Sequence, residues 1–288
     1  MAGREAVSCL VSAVRIGVFD SGVGGVTVLS PLYALLPQAD YVYFADAAWC
    51  PYGPRPPKEV RGRVELVVRF LLAQGCQLVV VACNTATASA IAYLRLRYTG
   101  VPFVGMEPAV KPAALTTATG VIGVLATRGT FAGQLFQQAV VRYAARVKIV
   151  HIADDRLVEF VEHGLYAEPA VRAHLRTITD TMAEANVDRL VLGCTHYPFL
   201  ATTFRELLQP QVELINPAPA VARQALRVLP SVATTAPLGS RPLSASKLGH
   251  LALYSSGDAR SLAARLEDYF TMQGQRIPAY ELCSFVEI

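Results

Sequence analysis

Short apolar segments alternate with amphipathic segments along almost the whole chain. Runs rich in Val, Ile and Leu predict nine strands, near residues 15–20, 40–45, 77–82, 101–105, 120–125, 147–152, 188–193, 212–215 and 250–254. Helical spacing fills the intervals, most clearly over 58–74. Strands that alternate with helices in this way are typical of parallel sheets covered on both faces. The pattern therefore predicts an α/β protein with doubly wound, mostly parallel sheets.

Two proline-containing segments suggest where the chain crosses between domains. They are "MEPAVKPA" at 106–113 and "NPAPAVA" at 216–222. We expect the second domain to be inserted into the first. The predicted divisions are a first α/β domain at 15–108 plus 217–275, a second α/β domain at 109–216, an N-terminal extension at 1–14 and a C-terminal tail at 276–288.

One internal stretch lacks the periodicity of its neighbours. Residues 229–249 are rich in Ser, Ala and Pro, and this composition predicts a loop.

Composition narrows the range of partners and compartments. The 288 residues are 53% hydrophobic and 17% charged, which favours a folded core over disorder. The net charge of +4 comes without a basic stripe, so no nucleic-acid partner is expected. No apolar run approaches the roughly 20 residues that cross a bilayer, so no membrane partner is expected. The six cysteines form no C-x-x-C pair, which favours reduced thiols in a cytoplasm.

A glycine-rich stretch, "VFDSGVGGVTVL" at 18–29, follows the first predicted strand. Such a turn could hold a phosphate, but Thr27 stands where the dinucleotide fingerprint needs its third glycine. The nearest lysine, Lys58, is too distant for a P-loop. The stretch therefore does not predict a nucleotide site.

Two predicted strands end in the same way. "QLVVVACNT" at 77–85 and "DRLVLGCTH" at 188–196 each place a cysteine after a buried strand and before a helix-forming segment. Cys83 and Cys194 would thus lie at the edge where open α/β sheets bind ligands. A helix N-terminus lowers the pKa of a thiol from about 8.5, so both thiol and thiolate are accessible.

Two such thiols in one cleft suit the inversion of a carbon that carries an acidic hydrogen. One face of the carbon needs a base, the other needs an acid, and the roles exchange in the reverse direction. Asp20 and His196 lie beside the two cysteines in suitable positions to assist. None of the four lysines occupies a strand-end position suited to pyridoxal phosphate, so no cofactor is expected.

Three other interpretations of the same residues stay open at this point. Cys83, Cys194 and His196 could bind zinc, although their spacing is unusual for zinc ligands and no metal is expected. Cys194 and His196 could be the nucleophile and base of a thiol hydrolase, which would leave Cys83 without a role. A non-enzymatic binding module would explain the glycine loop but not the paired thiols.

The combination of motifs resembles the cofactor-independent glutamate racemases, from about Ile16 to about Phe270. The matching motifs are "FDSGVGG" at 19–25, "PYG" at 51–53, "VACNTA" at 81–86 and "GCTHYP" at 193–198. The resemblance implies two α/β domains facing each other across a cleft, often as homodimers. It also implies interconversion of L- and D-glutamate, which supplies D-glutamate for peptidoglycan.

The resemblance also implies roles for individual residues. Cys83 and Cys194 would be the acid/base pair, with Asp20 assisting the first and His196 the second. Glu162, in "FVEHG", matches a looser family segment and would be a further assisting acid. The implied substrate contacts are Asp20, Ser21, Tyr52, Gly53, Asn84, Thr85, Thr195 and His196.

The chain departs from the family pattern ahead of "PYG". Ala45, Ala47 and Trp49 replace small, hydroxyl and basic residues, and Asn216 stands where aspartate is common. We expect these changes to affect substrate specificity and catalytic efficiency rather than the type of reaction. An aspartate or hydantoin racemase of the same superfamily is the nearest alternative.

Overall fold

The computed structural model describes residues 14–143, 145–233 and 248–284, and its strands form two parallel sheets. The larger sheet has the order β10-β9-β2-β1-β3-β4, and all of its pairs are parallel. Its strands are β1 Arg15–Asp20, β2 Asp40–Ala45, β3 Leu78–Val81, β4 Phe103–Gly105, β9 Leu251–Ser255 and β10 Tyr280–Leu282.

The smaller sheet is formed by the middle of the chain. Its order is β6-β5-β7-β8, again with parallel pairs only. Its strands are β5 Val121–Ala126, β6 Lys148–Ala153, β7 Arg189–Gly193 and β8 Glu213–Ile215.

Helices connect successive strands, as parallel pairing requires. In the described ranges they are α1 Val26–Leu35, α2 Pro57–Ala73, α3 Asn84–Arg97, α4 Val110–Thr116, α5 Arg128–Phe131, α6 Gln134–Tyr143, α7 Arg156–Glu162, α8 Pro169–Glu184, α9 Ala201–Leu207, α10 Ala218–Ala233 and α11 Ala259–Met272. Two 3₁₀ turns, Ala47–Trp49 and Tyr197–Leu200, follow β2 and β7. Helix α10 returns the chain from the smaller sheet and packs against α1.

Strand register brings the segments that follow the strands together at one edge of each sheet. Phe19 of β1 pairs with Val81 of β3, so Asp20 and Cys83 emerge side by side. In the smaller sheet Ala126 pairs with Gly193, which places the residues after β5 beside Cys194. The central strands are buried almost throughout, and this explains their continuous apolar runs.

The α/β class and the nine predicted strands are confirmed, with bounds that differ by at most two residues. The pattern did not predict β10, which lies in the segment expected to be only a tail. The domain boundaries and the inserted-domain division stay predictions.

The prediction of a loop over 229–249 was wrong at its start, since α10 continues to Ala233. Buried Ala218, Ala222, Ala225 and Leu229 keep helical spacing up to that point, so packing favours continuation of the helix. Residues 234–247 of this stretch, and 1–13 of the expected extension, lie outside the described residues. Among the described residues, no helix combines the length and the apolar character that crossing a bilayer requires.

Candidate active site

Side chains from both sheets line one small cavity, whose volume is about 10 Å³. That volume holds about one water molecule. The cavity is lined by Ser21, Pro51, Tyr52, Gly53, Cys83, Asn84, Thr85, Thr127, Val158, Cys194, Thr195 and His196. The structure thus brings together all the predicted site residues except Asp20 and Glu162, which lie directly behind this lining.

Cys83 begins α3 as its N-cap residue. Its Sγ accepts a hydrogen bond from the backbone N–H of Ala86 at 3.4 Å and lies 3.6 Å from Ser21 Oγ. Burial, together with the nearby charge of Asp20, raises the pKa of the Cys83 thiol. The thiol form therefore predominates in the closed cavity, and the thiolate requires a neighbour that takes its proton.

Asp20 is fully buried and contacts Cys83 through Ser21. The Ser21 hydroxyl donates to Asp20 Oδ1 at 3.0 Å, and the Gly22 N–H donates to the same oxygen at 3.3 Å. Burial raises the pKa of Asp20, and its Oδ2 has no hydrogen-bond partner among the described residues. Asp20 is therefore placed to receive a proton, with Ser21 between it and the thiol.

Cys194 follows β7 and has a different set of neighbours. Its Sγ lies 3.7 Å from His196 Nδ1, and His196 Nε2 lies 2.5 Å from Glu162 Oε1. The backbone N–H of Val23 donates to the same Glu162 oxygen at 2.8 Å. The three side chains of Cys194, His196 and Glu162 form a hydrogen-bonded row that ends at the thiol.

The His196–Glu162 contact sets the charges in this row. Burial disfavours a charged imidazole, but hydrogen bonds to Cys194, Cys50 and Glu162 outweigh it and raise the pKa of His196 well above its ordinary value. Burial also disfavours a charged Glu162, yet the bond and charge of His196 hold the pKa of this carboxyl below its ordinary value. An imidazolium–carboxylate pair therefore lies beside Cys194.

Glycines in the segment after β1 allow it to approach this row closely. A Cβ on Gly22 would lie 1.8 Å from Glu162 Oε1, and a Cβ on Gly24 would lie 2.4 Å from His196 Nδ1. Any larger residue would displace the groups that surround the cavity. The glycine-rich stretch thus packs against the second half of the site and bonds to it, in addition to carrying Asp20.

Tyr52, in the cavity wall, is held by a buried carboxylate. Its hydroxyl donates to Asp46 Oδ2 at 2.5 Å, while Arg63 binds both Asp46 oxygens at 2.8 Å and Ser256 donates at 2.8 Å. Arg63 also lies over the Trp49 ring, 5.2 Å from its centroid. Trp49 is not among the residues that line the cavity.

Hydroxyl and amide groups line the other side of the cavity. Thr85 Oγ1 lies 2.9 Å from Thr127 Oγ1, and Thr127 contacts Thr130 Oγ1 at 3.0 Å. Asn84 donates to the Met106 carbonyl, and its buried Oδ1 has no partner in the described part of the chain. These oxygens and N–H groups suit an amino acid with polar ends.

Sequence reasoning missed three lining residues, Pro51, Val158 and Thr127. Thr127 follows β5 directly, so the strand-end argument that found the cysteines could have found it as well. Val158 lies in α7, and no signal in the sequence distinguishes it from an ordinary core residue.

Two thiols in one cavity, each following a strand of a parallel sheet, are the arrangement expected of an isomerase that acts on an acidic carbon. The model of the Asp/Glu/Hydantoin racemase family matches residues 29–225. The chain therefore belongs to this family, and it is an isomerase. The resemblance expected from the motifs is confirmed.

Individual relatives agree with the family assignment. The chain is 43% identical over 256 residues to the glutamate racemase of Ectopseudomonas mendocina, covering 88% of this chain and 94% of the relative. It is 45% identical over 218 residues to that of Roseiflexus sp., covering 76% and 80%. The crystal structure of Escherichia coli glutamate racemase with L-glutamate and the activator UDP-MurNAc-Ala superposes with a TM-score of 0.77 at 31% identity, covering 89% and 95%.

Proposed function

We propose that this chain interconverts L- and D-glutamate without a cofactor, with Cys83 and Cys194 as its two acid/base groups. The observation that carries the proposal is the placement of both thiols, from matching strand ends of two sheets, in one cavity. The relatives described above, all glutamate racemases by name, support glutamate as the substrate.

The first thiol gains its base form through a relay. With Asp20 ionised, the single hydrogen of the Ser21 hydroxyl points to Asp20 Oδ1, so the Cys83 S–H donates to the Ser21 oxygen. A proton then passes from Cys83 to Ser21 while the Ser21 proton passes to Asp20. The product is a Cys83 thiolate beside a protonated Asp20. The raised pKa of Asp20 favours this transfer, whereas the raised pKa of the Cys83 thiol opposes it.

The second thiol exchanges its proton with His196. An imidazolium held by Glu162 stabilises a Cys194 thiolate through Nδ1–H, and it returns a proton to Cys194 when an acid is needed. Glu162 fixes the ring through Nε2 and balances its charge. Glu162 is thus proposed as a residue that positions His196.

Racemisation follows from the two arrangements together. One thiolate removes the hydrogen from the α-carbon on one face, and the thiol on the other face supplies a proton to the resulting carbanion. One S–H bond forms and the other breaks, so no proton is lost. The reverse reaction uses the same groups in exchanged roles.

Substrate binding requires the cavity to open, because glutamate is far larger than the single water molecule that fits. We propose that the polar groups around the two thiols then receive the carboxylates and the amino group. These groups are Asp20, Ser21, Tyr52, Gly53, Asn84, Thr85, Thr195 and His196, with Thr127 added from the structure. Asp20, which lies behind Ser21, would reach the substrate only after such opening.

One observation favours a second candidate. The row Cys194–His196–Glu162 has the order of a thiol nucleophile, its base and the group that orients the base. A thiol hydrolase would use this row alone and would not need Cys83. Aspartate or hydantoin racemisation would need both thiols, and it differs from the main proposal only in the substrate.

The biological setting is part of the proposal. D-glutamate from this reaction would supply peptidoglycan synthesis and thereby cell-wall formation and cell shape, in the cytoplasm and through a homodimer. Size-exclusion chromatography with light scattering tests the dimer. A monomer at micromolar concentration would contradict that part.

Racemisation in D₂O tests the mechanism directly. L-glutamate is added to the protein without cofactor, circular dichroism follows loss of optical activity, and NMR follows the α-hydrogen. A two-base route places deuterium in the first D-glutamate formed, while the remaining L-glutamate keeps hydrogen. Equal early deuteration of both enantiomers would contradict two bases, and activity on aspartate but not glutamate would contradict the substrate.

A further inference from the structure

Cys50 is a third thiol beside the site, and the proposed reaction gives it no role. Its Sγ lies 3.6 Å from Glu162 Oε1, the oxygen that bonds to His196 Nε2 at 2.5 Å. The ligand atoms of Cys50, Glu162 and His196 all lie within 4.8 Å of one another. In the described part of the chain, these three side chains are close enough together to hold a metal ion. They differ from Cys83, Cys194 and His196, the possible zinc ligands considered from the sequence.

We propose that Cys50, Glu162 and His196 bind zinc, or a similarly soft divalent cation, at a site that inhibits the enzyme. A thiolate, an imidazole and a carboxylate are the protein ligands of zinc, and three of them leave the fourth position of its tetrahedron for water. Metal binding at this site does not depend on the proposed function, whereas inhibition by the bound metal rests on it.

Two of the three ligand separations can be compared with those of a zinc site, and the third is at most 4.8 Å. Ligand bonds of about 2.3 Å to sulfur and about 2.0 Å to nitrogen or oxygen put tetrahedral S···O pairs at about 3.5 Å and N···O pairs at about 3.3 Å. The Cys50–Glu162 separation of 3.6 Å already fits. The His196–Glu162 separation has to grow from 2.5 Å by roughly 0.8 Å to reach that distance. The Val23 N–H continues to orient the carboxylate, as hydrogen bonds to metal ligands usually do.

A cation has a route to these ligands. A second cavity, of about 400 Å³, is lined by Cys50 and Glu162. Glu159 and Asp258 also line it and are exposed, so the cavity reaches the surface. The three carboxylates on its wall attract a cation toward the thiol.

Binding would remove the freedom of His196 to exchange protons. Cation coordination replaces the S–H bond of Cys50 and the proton at His196 Nε2, and both protons leave to solvent. The ring keeps one hydrogen on Nδ1, which faces Cys194 Sγ at 3.7 Å. With Nε2 bound to the metal, the imidazole cannot take up a proton and return it to Cys194. Racemisation stops at the second thiol.

Cobalt titration tests the binding. Full-length, reduced protein is freed of metal with a chelator and titrated with Co²⁺, whose absorption reports a thiolate ligand by a charge-transfer band. Wild type should bind one Co²⁺ per chain with this band, and Zn²⁺ should displace it. Cys50→Ala and the volume-matched Cys50→Val should lose the band and bind at least about tenfold more weakly. Cys283→Ala, at the other partly exposed thiol among the described cysteines, should behave as wild type.

Activity tests the inhibition. Each protein is compared with its own metal-free rate, and the Cys50 variants should need at least about tenfold more Zn²⁺ for half inhibition. A charge-transfer band that persists in both Cys50 variants would overturn the site and place the cation on another thiol. Absence of any band in wild type would overturn it as well. A protein that binds Co²⁺ through Cys50 but does not racemise glutamate would overturn the proposed function and leave the site standing.

Discussion

Substitution of Gly22 by alanine should uncouple Glu162 from His196. The added Cβ would lie 1.8 Å from Glu162 Oε1, whereas ordinary contact begins at 3.4 Å, so the carboxylate must move by 3.4 − 1.8 = 1.6 Å. Gly22 is not among the described residues with positive φ, so alanine fits its backbone conformation. The effect of the substitution is therefore steric and falls mainly on the Glu162 carboxylate, with Cys50 Sγ next at 3.1 Å.

The size of the effect follows from the contacts that the carboxylate loses. Movement by this distance breaks the 2.5 Å bond to His196 and the 2.8 Å bond from the Val23 N–H. Hydrogen bonds to charged groups contribute about 1.5–3 kcal/mol each. Because Glu162 is 18% exposed and regains water, we expect a net loss of about 2 kcal/mol in unfolding free energy. The same loss at the transition state slows racemisation about 30-fold.

Urea unfolding measures the loss of unfolding free energy, and a circular dichroism assay with L-glutamate measures the loss of racemisation rate. Gly62→Ala is the matched control, because Gly62 lies in α2 and its added Cβ would meet no atom within 4 Å. This control should racemise like wild type and gain about 0.5–1 kcal/mol from helix propensity. If Gly22→Ala unfolds and racemises like wild type, the row Cys194–His196–Glu162 does not contribute as argued.

Three further predictions concern the two proton routes. Cys83→Ala and Cys194→Ala should each slow racemisation, followed by circular dichroism, at least about 100-fold. If either variant keeps the wild-type rate in both directions, the two-base mechanism is excluded. Ser21→Ala should break the relay to Cys83 and lower kcat by roughly 10-fold or more with the fold intact by the same method; an unchanged kcat would remove Ser21 from the relay. The His196–Glu162 pair should stabilise the fold fully between pH 4.5 and 6.5, the ordinary pKa values of the two groups. The stabilisation should be lost as pH falls through the lowered pKa of Glu162, and also as pH rises through the raised pKa of His196. Glu162→Gln should therefore flatten urea stability against pH, and a profile identical to wild type would contradict the pair.

The sequence was sufficient for the features that depend on local pattern. Buried parallel strands need continuous apolar runs, and the two cysteines follow such runs directly, so both sheets and both thiols could be predicted. Asp20 was predicted from its place in the glycine-rich stretch after the first strand and from the family resemblance. Its route to Cys83 through Ser21 was not predicted, because it depends on side-chain directions that spacing alone does not fix.

Features that depend on distant contacts were missed. Cys50 follows a 3₁₀ turn and is 112 positions from Glu162, so nothing local marks it as part of the site. Strand β10, "YEL", has no apolar pattern and exists because the edge of β9 is available for pairing. The helical residues after Leu229 were misread because proline and small residues outweighed the apolar spacing that precedes them.

The small volume of the cavity has a kinetic consequence. In the proposed mechanism, the thiol that accepted a proton still holds it when D-glutamate leaves, and the other thiol is still ionised. The free enzyme is then in the form suited to the reverse conversion. Once the cavity closes again after product release, its space for about one water molecule offers few carriers to reset that form. The protonation state of the two thiols would therefore persist after each turnover. At high substrate concentration the return of these protons to their starting positions, rather than proton removal from the α-carbon, would limit the rate.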